Sequence, residues 1–213
     1  MRRAGILTDR KAPRGKNMKY IIMADGKGTR WRNYNDIPKH FIEINGETLL
    51  GRTVRLLRQG DPGCEVIITS HDPRYEVEGA RRYEPENNYL EIDRFTEELI
   101  EDNVCFLYGD TYYSDEAAET IIGAAAEDIL FFGNQRSIVA IKVADGELFR
   151  SHVHRVRELF LEGKIEKCIG WQVYQSFLGL PFGEKKIESK YVLIKDGTED
   201  FNSPEDFNRR TNK

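Results

Sequence analysis

Short, unbroken apolar runs constrain this chain most: Tyr20–Ala24 (YIIMA), Glu65–Thr69 (EVIIT), Val104–Tyr108 (VCFLY) and Ile129–Phe132 (ILFF). A strand with one wet face alternates apolar and polar residues, whereas a strand covered on both faces does not. Between these runs the apolar residues change period. Leu50, Val54 and Leu57 share a helix face, as do Ile92, Phe95 and Leu99. Ala117, Ala118, Ile121, Ile122 and Ala125 form a third such face, and Phe149, Val153, Val156 and Phe160 a fourth. Buried strands alternating with amphipathic helices predict an α/β fold of three αβα layers around a mixed, mostly parallel sheet. Ile129–Phe132 and Ile138–Val143 are joined by only a short polar link, which predicts an antiparallel pair within that sheet. Phe41–Ile44, closed by the Asn45–Gly46 turn signal, and Tyr191–Ile194 complete the expected strands.

The 213 residues suit one domain. Residues 1–17 are basic, lack any structural period and contain Pro13 and Gly15; they read as a flexible lead-in, or as an extension ahead of a start at Met18. Residues 18–213 form the expected domain, and 163–190 an insert for acceptor binding or dimerisation, with homo-oligomerisation open. A formal net charge of −4 argues against a nucleic-acid partner. No run approaches the ~18 apolar residues of a membrane span. Cys64 and Cys105 lie in or beside apolar runs and read as reduced core thiols, which predicts a cytoplasmic protein.

The chemistry starts where the first strand ends. Ala24-Asp25-Gly26-Lys27-Gly28-Thr29-Arg30 follows the apolar run, and Pro38-Lys39 comes soon after. Glycines let backbone N–H groups approach an anion, and an arginine fork plus a lysine add charge for phosphate. An ordinary glycine turn with two surface cations would give the same pattern. A Walker A loop is absent, and the dinucleotide fingerprint fails because Trp31 stands where its third glycine belongs. A later strand delivers Asp110 (LYGD) to the same sheet edge, where Mg²⁺ is a natural partner for a desolvated carboxylate; a capping or loop role is the alternative. Near the C-terminus Ser203-Pro204-Glu205-Asp206 reads as a helix start, which leaves Asp200 as a second carboxylate for the same metal.

These residues resemble the sugar-1-phosphate type of nucleotidyltransferase, whose leading motif is a strand followed by L-A-A-G-x-G-x-R and then P-K. The match covers about residues 18–210. It implies a Rossmann-like GT-A nucleotidyltransferase fold, with nucleotide on Ala24, Asp25, Gly26, Lys27, Gly28 and Thr29 and its phosphates on Arg30 and Lys39 as catalytic cations. It also implies Mg²⁺ on Asp110 and Asp200, and looser nucleotide contact from Asn88 in EPENNYLEI. The implied partners are an NTP and a phosphorylated sugar or small alcohol, with pyrophosphate released and surface-polysaccharide precursors as the expected use. A molybdenum-cofactor-type guanylyltransferase, a GT-A glycosyltransferase and a non-catalytic nucleotide-binding module are the alternatives; the absence of any D-x-D motif disfavours the glycosyltransferase. Asp25 departs from the family motif, which has alanine there. His71 follows a strand end and is a candidate for the nucleotide cleft. His40 reads as a surface residue, and His152 and His154 do not share a helix face. Trp171, Tyr174 and Phe177, between Lys164, Lys167, Lys185 and Lys186, read as a packing face or an acceptor wall.

Overall fold

The computed structural model describes residues 17–32, 34–184 and 186–211. The lead-in expected at 1–17 therefore lies, but for Asn17, outside the described residues, as does Lys185. In chain order the strands and helices are β1 (Lys19–Met23), β2 (Glu43–Ile44), β3 (Glu47–Thr48), α1 (Leu49–Gly60), β4 (Glu65–Thr69), β5 (Arg81–Tyr83), β6 (Val104–Tyr108) and β7 (Thr111–Tyr112). They continue as α2 (Asp115–Gly123), β8 (Ile129–Gly133), β9 (Ile138–Val143), α3 (Gly146–Leu161), α4 (Gly170–Leu178), β10 (Tyr191–Leu193), β11 (Glu199–Asp200) and α5 (Pro204–Thr211).

The central sheet has seven strands in the order β10-β8-β9-β6-β1-β4-β5. β1 pairs in parallel with both β4 and β6, β4 with β5, and β8 with β10. Only β9 runs the other way, antiparallel to β6 and β8. The carboxyl ends of the six other strands therefore share one edge, where ligands of open α/β sheets bind. The predicted hairpin is the β8–β9 pair.

Side-chain alternation along β1 separates two cores. Tyr20, Ile22 and Ala24 pack with Leu50, Val54 and Leu57 of α1 and Ala117 and Ile121 of α2. Ile21 and Met23 face Phe149, Val153 and Val156 of α3 and Trp171, Val173 and Tyr174 of α4. Each large apolar side chain removed from water in this way contributes about 1.5–3 kcal/mol, which favours covering both faces of the sheet. The expected insert is thus partly a structural layer: the Trp171–Tyr174–Phe177 stripe packs into the second core, with Tyr174 5.0 Å from Phe131 between ring centroids.

Two expectations need correction. Ile92, Phe95 and Leu99 do not form an α-helix; they lie on or beside two 3₁₀ turns, Glu91–Arg94 and Glu97–Leu99. Asp93 holds the N–H groups of Tyr89 and Leu90, and Thr96 adopts φ −47°, ψ 113°, which breaks the helical path. Two tight turns bury the same side chains as one helix would. Phe41 is likewise not in a strand but ends the turn Lys39–Phe41; the β2–β3 hairpin follows, with Asn45 and Gly46 at φ 55° and 79° as its two-residue turn requires.

Candidate active site

The loop after β1 is set by a small third core. Trp31 is buried with Ile42, Ile44, Leu49 and Phe201, and its indole N–H donates to Ile37 O at 3.0 Å. Gly28 sits at φ 57°, and its carbonyl accepts from Trp31 N at 2.9 Å and Arg32 N at 3.2 Å, closing the turn. The residue that breaks the dinucleotide fingerprint is therefore the anchor of this loop. Lys27, Thr29 and Arg30 are left exposed on it, while Ala24 is buried at its base.

β6 ends at Tyr108, and Gly109 lets the chain pass against β1. A Cβ on Gly109 would lie 2.9 Å from Met23 O and 3.1 Å from the His40 ring. This close passage delivers Asp110. The β7–β11 ladder pairs Thr111 with Asp200, and Phe201 N donates to Asp110 O at 2.8 Å. Asp110 and Asp200, far apart in sequence, consequently line one cavity of about 240 Å³ together with Arg30, Arg94, Arg136 and Asn202. Asp200 accepts from Ser137 Oγ at 2.9 Å and from the Asn202 amide, and Asn202 Oδ1 accepts from Arg30 at 2.7 Å. A second cavity of about 640 Å³ shares Arg136, Ser137, Asp200 and Asn202 with the first and extends over the ends of β8 and β10.

Lys39 is buried directly behind Asp110, and its ammonium binds the Asp110 carboxylate. Burial alone would push the Asp110 carboxyl up, but the Lys39 charge and hydrogen bond outweigh it and hold the group below its ordinary value. His40 is a correction: it is 3% exposed, not a surface residue. Its Nδ1 lies 2.7 Å from Tyr75 Oη, and desolvation together with the neighbouring Lys39 charge lowers its pKa to about 3, so the ring is neutral.

Asp25 joins three segments. Its Oδ1 accepts from His71 N at 2.9 Å, and its Oδ2 lies 2.6 Å from His71 Nδ1 and 2.7 Å from Asn88 Nδ2. His71, at the end of β4, thus touches the glycine loop through Asp25, and it lines neither of the two cavities around Asp200. His152 and His154 contact Ser176 and Glu97 respectively and stand apart, as expected.

Sequence reasoning missed Arg94. Its guanidinium packs on the glycine loop, 3.2 Å from where a Cβ on Gly26 would stand, and it lines the cavity of Asp110. Its charge also helps hold down the pKa values of Asp110 and His40. It lies in no recognisable motif; the signal would have been a cation in the segment that follows Asn88.

No protein-family model matches the sequence. The bifunctional protein GlmU of Neisseria meningitidis is 28% identical over 118 residues, 51% of this chain and 25% of that protein. GlmU of Rhodopseudomonas palustris is 28% identical over 126 residues, 58% of this chain and 24% of that protein. The chain spans about a quarter of the length of these curated relatives. Among solved structures, CTP:phosphocholine cytidylyltransferase (LicC) of Streptococcus pneumoniae superposes with a TM-score of 0.57 at 13% identity, covering 92% of this chain and 99% of that one. A candidate glucose-1-phosphate thymidylyltransferase of Bacillus anthracis gives 0.63 at 14%, covering 90% and 93%. The 4-diphosphocytidyl-2C-methyl-D-erythritol synthase of Anaerococcus prevotii gives 0.59 at 15%, covering 93% and 99%. The fold is that of the nucleotidyltransferases. The resemblance expected from the motifs is thereby borne out at the level of architecture, over nearly the whole chain.

Proposed function

We propose that this protein transfers NMP from an NTP to a sugar phosphate or small phospho-alcohol, releasing pyrophosphate. One observation carries the reading: the short β7–β11 ladder brings Asp110 and Asp200 to a cavity that also holds Arg30 and Arg94, beside a glycine loop. The GlmU segments and the fold likeness to a cytidylyltransferase support it.

Two carboxylates from adjacent backbones are hard oxygen donors of the kind Mg²⁺ takes, with its remaining positions left to water and phosphate. Among the described residues no group of three or more His, Cys, Asp or Glu forms a complete metal cage, so an ion here would draw its other ligands from substrate and water. Asp110 and Asp200 would hold the ion, and its charge would offset that of the reacting phosphates.

In the proposed reaction an acceptor phosphate oxygen forms a bond to the α-phosphorus, and the bond to the β-phosphate oxygen breaks as pyrophosphate leaves. The attacking oxygen is already anionic, so no general base is needed. Arg30 and Arg94 neutralise the leaving pyrophosphate, and Lys39 offsets charge developing near Asp110. The larger cavity over β8 and β10 takes the acceptor. Nucleotide-activated precursors of surface polysaccharide are one use of such a product. Among the described residues no helix is long and apolar enough to cross a membrane, and the three buried free thiols suit a reducing cytoplasm.

The test is a pyrophosphate-release screen of NTPs against sugar and alcohol phosphates. Turnover with one pair, abolished in Asp110→Asn, is expected. Undiminished Asp110→Asn activity would overturn the metal assignment, and no turnover with any pair would favour a non-catalytic binding module.

A further inference from the structure

The proposed function places the nucleoside against the loop after β1, and that loop carries the residue that departs from the family motif. Asp25 is an acid on the loop where an alanine was expected, yet it is not free to read a base. Both carboxylate oxygens are engaged, by His71 N, the His71 ring and the Asn88 amide. These engagements fix the polarity of two other groups.

Asn88 places its amide between two acceptors, Asp25 O and Asp25 Oδ2, each 2.7 Å away. Only the NH₂ group can satisfy both, so the opposite amide atom is the carbonyl Oδ1. The same logic fixes the imidazole. A carboxylate accepts, so His71 Nδ1 carries the proton, and in the neutral ring Nε2 is an acceptor. His71 follows β4 and its side chain is 48% exposed. The loop after β1 and the end of β4 adjoin at the ligand-binding edge of the sheet, where Ala24 N donates to Thr69 O at 3.2 Å. With the Asp25 contacts made, the side-chain atoms this cluster has left for a ligand, Asn88 Oδ1 and His71 Nε2 of the neutral ring, are both acceptors.

We infer that the nucleoside pocket selects bases bearing an exocyclic amino group over their keto counterparts, so that cytosine is preferred to uracil and adenine to hypoxanthine. An amino group offers two hydrogens to Asn88 Oδ1 and His71 Nε2. A keto oxygen in its place meets acceptors and leaves them unpaired, and sites of this type reject such analogues strongly. The inference rests on the nucleotidyltransferase reading in taking an NTP as ligand and in placing its base against the Asp25 loop and Asn88. Asp25 is here a positioning residue: it reaches the base through His71 and Asn88.

Equilibrium binding by calorimetry compares CTP with UTP and ATP with ITP. CTP is expected to bind at least about tenfold more tightly than UTP, with ATP ahead of ITP by a similar factor. In Asp25→Asn the amide can donate as well as accept, the His71 tautomer is released, and the CTP:UTP ratio falls severalfold. Asn88→Ala, which removes one acceptor and leaves Asp25 its two contacts with His71, lowers the same ratio if Asp25→Asn fails to fold. Equal binding of CTP and UTP, a preference for UTP, or a ratio unchanged in either folded variant overturns the inference. Because binding is read without turnover, selective CTP binding with no pyrophosphate release sinks the proposed function and leaves this inference standing. Turnover confined to UTP does the reverse, and no binding of any NTP sinks both.

Discussion

Replacing Lys39 with methionine tests the link between the fold and the proposed site most directly. The side chains of Lys39 and Asp110 are 10% and 11% exposed, and the ammonium binds the carboxylate. The methionine side chain would keep the apolar stem and strand the Asp110 charge. Breaking a buried pair this way costs about 3–5 kcal/mol when water stays out. Here a cavity of about 240 Å³ borders Asp110 and admits water, so the cost falls below that range; about 2–3 kcal/mol is expected, or roughly 4–12 °C in Tm for a chain of this size. Urea denaturation of Lys39→Met, Asp110→Leu and the double variant measures the coupling. The double variant should be more stable than the sum of the single losses by about 2 kcal/mol, because neither charge is left alone. The pH dependence has a definite sign. The Asp110 pKa lies below its ordinary 3.8 in the folded wild type, so its stabilisation is full above that value and is lost on acidification through the lowered one. Without Lys39 burial dominates and the shift reverses, so the gap between variant and wild type narrows as pH falls. Mg²⁺ should raise the Tm of Lys39→Met more than that of wild type, since an unpaired Asp110 beside Asp200 gains affinity for a cation. Strict additivity of the single losses would refute the pairing argument, and a Tm of Lys39→Met indifferent to Mg²⁺ would refute the carboxylate pair as a metal site.

Arg94→Ala should lower kcat/KM for the NTP by about 2–4 kcal/mol in steady-state kinetics, as loss of a charge-stabilising donor does, and Arg30→Ala should act similarly; an unaffected Arg94→Ala removes it from the site. His40 has a folded pKa of about 3 against an ordinary 6.5, so the fold prefers the neutral ring and stability falls as pH drops below about 6.5. The slope should approach about 1.4 kcal/mol per pH unit between about pH 6 and pH 4.5 in urea titrations, and His40→Asn should flatten it. Arg210 lies 3.8 Å from the centroid of the Tyr112 ring, which Arg52 also covers at 4.7 Å, and pairs with Glu199 at 2.7 Å. Arg210→Ala should cost about 1–2 kcal/mol by loosening the β7–β11 ladder and raise the Mg²⁺ concentration needed for turnover; an unchanged Mg²⁺ requirement would confine Arg210 to stability.

The strands were legible because burial on two faces leaves unbroken apolar runs, a local signal that survives without knowledge of partners. The helix expected over Ile92, Phe95 and Leu99 failed for a matching reason: its spacing records which side chains are buried, not whether the backbone between them is continuous, and Asp93 redirects that backbone through hydrogen bonds to Tyr89 and Leu90. His40 was misplaced because nothing local tells a surface histidine from one desolvated beneath a glycine passage; the burial comes from Tyr75 and Gly109, both distant in sequence. The convergence of Asp110 and Asp200 was inferable from the order of strands and motifs, yet its cause, a ladder of two residues, was invisible. So short a ladder is marginal alone. It depends on Phe201 in the third core and on the guanidiniums of Arg52 and Arg210 over the Tyr112 ring, contacts that join β7 to α1 and α5. Arg94 was illegible because its role comes from a missing side chain elsewhere: Gly26 leaves the room its guanidinium occupies. The glycine therefore serves two partners, opening its backbone toward an anion and admitting a cation against the loop, and the second of these can be seen only when the chain is folded.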